Sequence, residues 1–409
     1  MSEGPAIDAE RVIADLRELQ SRTGDSNGAQ RLCWSEGWRR GREFVRELFG
    51  EIGLEPDVDE AGNAWAYLPG EAEPALAVGS HVDSVPDGGW LDGALGVMGG
   101  LGVLRAWAGT ERKPPLTLAL VDWADEEGAR FGRSLFGSSA AAGTLDPGEI
   151  ANARDADGLR APGVLAENGV DLERVLECGS RLERLGAYLE LHIEQGPVLE
   201  AEGIKAAAVT GCAGVERHRF VIRGRAAHAG TTPMDARHDA GLAAAAAALR
   251  IEKIARDEGG VGTVGVVDYE PGIVTAVAGI ASMQVDLRHR DADALARMIA
   301  FTRDAVAQAA TDRGCETSEE PIWRIEPIAF DPELVASALD ACARVTGTAF
   351  ELPSGALHDA ASMAGRMPAA MIFSASSGGV SHAREEDTEE DDLRAAIEAF
   401  GSFVNSRLS

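Results

Sequence analysis

Apolar residues first recur at helical spacing, with Ile7, Val12, Ile13, Leu16 and Leu19 marking one face. A second helix is predicted from about Glu36 to Leu48, closed near Gly50 and Gly53. The pattern then turns to short unbroken apolar runs: ALAVG (75–79), LTLALVDW (116–123), AYLELHI (187–193) and AAMIFS (369–374). Such runs read as strands buried on both faces. LGVMGGLGVLRAW (95–107) predicts the helix between the first two, and GLRAPGVLAENGV (158–170) a surface helix and loop. Strand and helix in alternation predict an α/β fold, a mixed, largely parallel sheet flanked by helices.

The rhythm changes after about Gly211. RHRFVIRG (217–224), VGTVGVVDYE (261–270), SMQVDLRHR (282–290) and IWRIEPIAF (322–330) read as strands. An Ala-rich helix over 237–257 and another over 291–312 separate them in the order βαββαβ, a ferredoxin-like α+β unit. Helices at 331–345 and 389–407 follow. We expect a core domain of residues 1–211 and 328–409, interrupted by a small inserted domain at 212–327. A length of 409 residues suits that division, at roughly 150 residues per domain.

Charge narrows the choice of partner. With 38 basic and 67 acidic residues the chain carries a net −29, the wrong sign for neutralising nucleic-acid phosphates or docking on an anionic membrane. No apolar run approaches the roughly 18 residues of a membrane span, and the first residues carry acids where a secretory signal carries cations. The expectation is a cytoplasmic protein. Cys33, Cys178, Cys212, Cys315 and Cys342 are scattered and never spaced as CxxC, which argues against a disulfide framework or a thiolate zinc site.

The candidate chemistry sits just after the apolar runs. In GSHVDSVPDGGWLDGALG (79–96), His81 and Asp83 are two apart, so in extended chain both side chains point the same way. Asp83 is then placed to accept the second ring N–H of a metal-bound His81. Asp92 lies further on, before Gly93. Taken alone, this is equally a glycine-rich loop with a stray histidine. LALVDWADEEGARFG (118–132) ends a run with Asp125, Glu126 and Glu127, whose mutual repulsion calls for a cation or a shared proton. A solvated acidic loop is the alternative, but the apolar strand ahead and Gly128 behind favour the functional reading. His192, Glu194 and Gln195 close the third run, and His382 follows the fourth. Three histidines and acidic clusters at the carboxyl ends of parallel strands converge on the edge where ligands bind in such sheets. Nitrogen and oxygen donors without sulfur suit zinc, manganese, cobalt or nickel.

Together GSHVDSVPDGG, DEEGARFGRSLFGS, HIEQGPVLE, HAGTTPM, DLRH, GALHDA and SGGVSH resemble, in order, a known family. It is the carbamoylase and allantoate amidohydrolase branch of the aminoacylase/carboxypeptidase-like dinuclear metallohydrolases. The resemblance implies two divalent ions per chain, zinc foremost, one held by His81, Asp92 and His192 and the other by Asp92, Glu127 and His382. Glu126 would be the general base, taking a proton from the attacking water and returning it to the leaving nitrogen. His228, in the inserted domain, would reach the other subunit of a homodimer as an oxyanion donor. Gln195 would contact substrate and Arg288 would clamp its carboxylate. His358 and Asp359 would line the site. Without the motifs, His228 reads first as a surface histidine before a helix, and Arg288 is equally a salt bridge at a strand end.

The chain departs from the family at PGIVTAVAG (271–279), where relatives read PGxxNxxPG: Thr275 and Ala278 replace the Asn and the Pro. That asparagine contacts substrate in relatives, so the departure bears on the substrate and leaves the hydrolytic residues intact. The implied activity is hydrolysis of an N-carbamoyl (ureido) amino acid to the amino acid, ammonia and carbon dioxide. Allantoate is the alternative substrate. An N-acyl amino acid deacylase or peptidase, or a non-catalytic binding protein on this fold, fits the motifs less well.

Overall fold

The computed structural model describes residues 4–408. They form two compact units, one of residues up to Thr210 together with those from Ala329 on, the other Gly211–Ile328.

In the first unit the helix Ala9–Thr23 starts where the Asp8 carboxylate accepts the Arg11 N–H, and it buries Val12, Ile13, Leu16 and Leu19. The helix Glu36–Glu51 is capped in the same way by Ser35. Four adjacent strands run parallel at the centre of the sheet, in the order Ala369–Ser374, Leu185–Ile193, Ala72–His81 and Leu116–Trp123. Each is buried along most of its length, as strands covered on both faces must be. Antiparallel strands extend the sheet on both sides, Ala206–Cys212 beyond the first and Ala64–Leu68 beyond the last. The apolar pattern does not mark these two: one is alanine-rich, the other five residues long and only partly covered.

The helix Ala94–Ala108 packs closely on the sheet because Gly96 has no side chain. A Cβ there would lie 2.4 Å from the Leu191 carbonyl oxygen and 2.5 Å from Ser80 Cβ. Val78, Leu120, Leu191, Ile372, Phe400 and Phe403 belong to the core that holds sheet and helices together. It fixes the strand ends at which the polar residues gather.

The second unit is an antiparallel sheet in the order Val261–Glu270, Ile280–His289, Gly214–Arg223, Glu316–Ile325. Alternate residues Phe220, Ile222, Ala281, Met283, Val285 and Leu287 form one core with the helices Ala240–Glu258 and Ala292–Thr311. The closing strand is Glu316–Ile325, not the apolar stretch 322–330 expected from the sequence. It is an edge strand, exposed almost throughout, so its register with Gly214–Arg223 is set by backbone pairing and leaves no apolar signature. No described helix is long and apolar enough to cross a membrane.

Candidate metal centre

Because the four central strands are parallel and adjacent, their carboxyl ends share one edge. His81 ends one strand, and Asp125, Glu126 and Glu127 follow Trp123 at the end of the next. His192 is the penultimate residue of a third, and His382 lies beyond Ser374 of the fourth. Asp92 stands immediately before Gly93, which adopts φ 65° and leads into the helix Ala94–Ala108. Any side chain at Gly93 would meet the His81 ring at 2.3 Å, so the loop passes the imidazole only as glycine.

Among the described residues four sets of three donors could hold an ion, two of them sharing Asp92 and the others being Glu190, His192 and His358, and Cys33, Asp83 and Asp125. His81, Asp92 and His192 each offer an atom within 4.8 Å of the others, and so do Asp92, Glu127 and His382. Asp92 divides its oxygens between them. Its Oδ1 is 3.2 Å from His192 Nε2 and 3.8 Å from His81 Nε2, while Oδ2 is 3.4 Å from His382 Nε2. Glu127 Oε2 lies 3.3 Å from the same His382 nitrogen. Glu126 Oε2 is 3.7 Å from His81 Nε2, beside the first group.

Backbone carbonyls orient the rings. His81 Nδ1 is 3.1 Å from the Asp83 carbonyl and His192 Nδ1 is 2.9 Å from that of Ile193. In the tautomer a metal ligand needs, Nδ1 donates to these carbonyls and Nε2 keeps its lone pair for an ion; without an ion, His192 Nε2 donates to Asp92 instead. The Asp83 carboxylate thus does not serve as the hydrogen-bond partner of His81 that the spacing suggested; its Oδ1 is 3.6 Å from His81 Nδ1. It accepts the backbone N–H groups of Glu126 and Glu127, at 3.3 and 3.2 Å, and so fixes the turn that carries both glutamates. The turn is tight: Asp125 has φ 55° and Gly128 φ 62°. Asp87, Gln195 and His382 also adopt left-handed φ, of 57°, 57° and 55°, so each of the four strand-end loops holds a non-glycine residue in a disfavoured backbone.

The electrostatics of the metal-free chain are those of crowded, buried acids. Burial, then the neighbouring carboxylates, hold Glu126 and Glu127 well above the usual carboxylate range. Burial raises Asp83 to about 6, and burial with the Asp83 charge raises Asp125 to about 8. Burial pushes His81 down to about 4. His192 goes the other way, to about 9, because its hydrogen bond to Asp92 and the charges of Asp92 and Glu190 outweigh burial. Glu127 Oε1 is buried with no hydrogen-bond partner. An oxygen- and nitrogen-rich cluster with an orphaned carboxylate oxygen and excess negative charge fits divalent cations.

Gln195 reaches this cluster: its Nε2 donates to Asp92 Oδ2 at 2.8 Å and lies 3.3 Å from Ser381 Oγ. His358 is buried with its ring centroid 4.4 Å from that of His192 and its Nε2 2.9 Å from Ser354 Oγ. Asp359, equally buried, begins the short helix Asp359–Ala364. Sequence reasoning passed over Glu190 and Glu386. Glu190 accepts the Ser80 hydroxyl at 2.7 Å and the Ala360 N–H at 2.9 Å; its signal was its place two residues before His192, on the same strand face. Glu386 had no such signal.

The remaining candidates belong to the second unit. The two-residue strand Ala227–His228 pairs with Ala276–Val277, and the Ala229 N–H donates to the Thr275 carbonyl at 2.9 Å, so His228 and Thr275 are neighbours. His228 is exposed, and its Nδ1 accepts the Gly230 N–H at 3.1 Å, which leaves Nε2 to carry the ring hydrogen. Arg288 Nε donates to Asp286 Oδ1 at 2.8 Å, while Arg217 holds the other Asp286 oxygen at 2.7 and 3.0 Å.

A parallel sheet edge carrying donor groups that suit divalent cations is the architecture of a metal-binding hydrolase. Within that class the chain belongs to Peptidase family M20/M25/M40, whose profile matches residues 77–406. It is 36% identical to the N-carbamoyl-L-amino acid amidohydrolase of Geobacillus stearothermophilus, covering 96% of this chain and 97% of the relative. It is 31% identical to the allantoate amidohydrolase of Bacillus subtilis, covering 97% and 98%. Among solved structures, an amidase of the hydantoinase/carbamoylase family from Burkholderia multivorans superposes with a TM-score of 0.89 at 33% identity, over 98% of both chains.

Proposed function

We propose that the protein is a metal-dependent amidohydrolase cleaving an N-carbamoyl amino acid to the amino acid, ammonia and carbon dioxide. The observation that carries this is Asp92 facing one donor group with each oxygen, with Glu126 beside them. His81, Asp92 and His192 would hold one divalent ion and Asp92, Glu127 and His382 the second, zinc being the first choice. Such ions supply a Lewis acid for the ureido carbonyl and lower the pKa of water. Glu126 takes the proton of the attacking water and returns it to the departing nitrogen. Asp83 keeps Glu126 and Glu127 in register by binding both of their N–H groups. His228 Nε2–H donates to the oxygen that becomes negative as the carbonyl turns tetrahedral. Arg288, pinned at Nε by Asp286, and Gln195 orient the substrate, with Thr275 shaping its pocket.

A homodimer through the second unit completes this reading, with His228 serving the other copy. Its support is the edge strand Val261–Glu270, which pairs on one side only and exposes Val261, Val266, Val267 and Tyr269. The helix Ala240–Glu258 adds exposed Leu242 and Leu249. An unpaired apolar edge favours addition of the same strand from a second copy. Cytoplasmic location is supported by the scatter of the cysteines, which form no disulfide among the described residues.

The relatives' names keep allantoate as a second reading. The test is ammonia release from a panel of N-carbamoyl amino acids, allantoate and ureido compounds lacking a carboxylate, before and after chelation. N-carbamoyl amino acids should be hydrolysed fastest, activity should vanish on chelation, and zinc, manganese or cobalt should restore it. Full activity in demonstrably metal-free protein sinks the mechanism, and preference for allantoate selects the alternative.

A further inference from the structure

Glu386 lies four residues past His382, is 2% exposed, and uses both oxygens on its surroundings. Oε1 accepts the backbone N–H of Leu91 at 3.1 Å and of Asp92 at 3.0 Å. Oε2 accepts the Ser381 hydroxyl at 2.9 Å, and Ser381 Oγ is in turn 3.1 Å from Asp92 Oδ2. The carboxylate occupies the space a side chain at position 89 would need: a Cβ on Gly89 would fall 2.0 Å from Glu386 Cδ. One carboxylate therefore ties the loop before the helix Ala94–Ala108 to the segment carrying His382. The two loops leave different strands, and no covalent neighbour fixes their spacing. Asp92 is the only residue common to the two donor groups that include His81 and His382, so a shift of its backbone moves an oxygen in both.

We propose that Glu386 is a positioning residue that sets where Asp92 stands, so that affinity for both ions depends on it. The inference rests on the reading that Asp92 is shared between two metals. A partner that holds a ligand in place usually governs metal affinity by roughly 10- to 100-fold. Glu386→Ala should weaken zinc binding by that factor, and for both ions rather than one. Glu386→Gln should stay within a few-fold of wild type, because an amide oxygen can accept the same two N–H groups and the amide nitrogen can donate to Ser381. Gly89→Ala should resemble Glu386→Ala, since it displaces the carboxylate without removing it.

The measurement is competition of each purified variant with a zinc chelator, beside melting temperatures with and without zinc. A residue that only supports the fold would lower both melting temperatures together and leave the zinc-induced rise intact. A positioning residue shrinks that rise, because stabilisation by a ligand scales with the logarithm of its affinity. Wild-type zinc affinity in Glu386→Ala and Gly89→Ala, or an unchanged zinc-induced rise, overturns the proposal. If Glu386→Ala does not fold, the contrast between Gly89→Ala and Glu386→Gln decides. Failure of the wild-type chain to take up zinc overturns the metallohydrolase reading, and this inference with it.

Discussion

Glu126 and Glu127 are adjacent, chemically identical and held by the same Asp83, yet they differ in what their oxygens face. Glu127 Oε2 is 3.3 Å from His382 Nε2 and its other oxygen is buried without a partner, whereas Glu126 Oε2 looks towards His81 at 3.7 Å. Glu127→Gln should therefore weaken binding of one ion. Glu126→Gln should keep both and lose about 100- to 10,000-fold in kcat, the range for removal of a general base. Metal analysis and kcat on the two variants separate the roles; equal metal loss in both would show the pair wrongly assigned. Histidines and acids at the ends of apolar runs were legible because donors at a parallel strand end need only local sequence to be recognised. Asp83, Glu190 and Glu386 were not legible in their actual roles. Each acts by accepting backbone or hydroxyl hydrogens across 43 to 294 residues of chain, and spacing carries no record of that.

At the scale of elements, burial decided what could be read. The four central strands announce themselves because both faces are covered, and the helices Ala9–Thr23 and Glu36–Glu51 because only one face is. The edge strand Glu316–Ile325 is polar and was displaced by six residues at its start, since backbone pairing alone sets its limits. Smaller still is the pair Ala227–His228 and Ala276–Val277. It presents an exposed imidazole whose hydrogen is fixed on Nε2 by the Gly230 N–H. If that imidazole serves a second copy, His228→Ala and Glu126→Gln homodimers should each be nearly inactive. Mixing them should restore about one working site per mixed dimer, because one site then has an intact base and an intact donor. The check is activity after subunit exchange, with exchange itself followed by a mass tag. No recovery despite complete exchange would place His228 in its own chain's site or outside catalysis.

For the molecule as a whole the governing quantity is charge. Lys113, Lys205 and Lys253 are the only lysines among 38 basic residues, and 67 acids leave a net −29. Many arginines sit in pairs at the surface, such as Arg394 with Glu10 and Asp391, and solvent screening leaves such pairs little net stabilisation. The unpaired excess repels itself at longer range, as do the buried acids of the metal-free site. Salt weakens both attraction and repulsion, but repulsion has the surplus here. The Debye length falls from about 10 Å at 0.1 M to about 3 Å at 1 M. The metal-free chain should thus melt a few degrees higher in about 1 M sodium chloride than in about 0.05 M, where 1 kcal/mol moves a domain of 150 to 250 residues by roughly 2 to 4 °C. Potassium chloride should act equally, because screening depends on ionic strength and not on a specific ion. The metal-loaded protein should gain less, since bound dications already relieve the most crowded acids. Calorimetry of both forms across that salt range tests this, and a melting temperature that falls with salt would mean the arginine pairs outweigh the net charge.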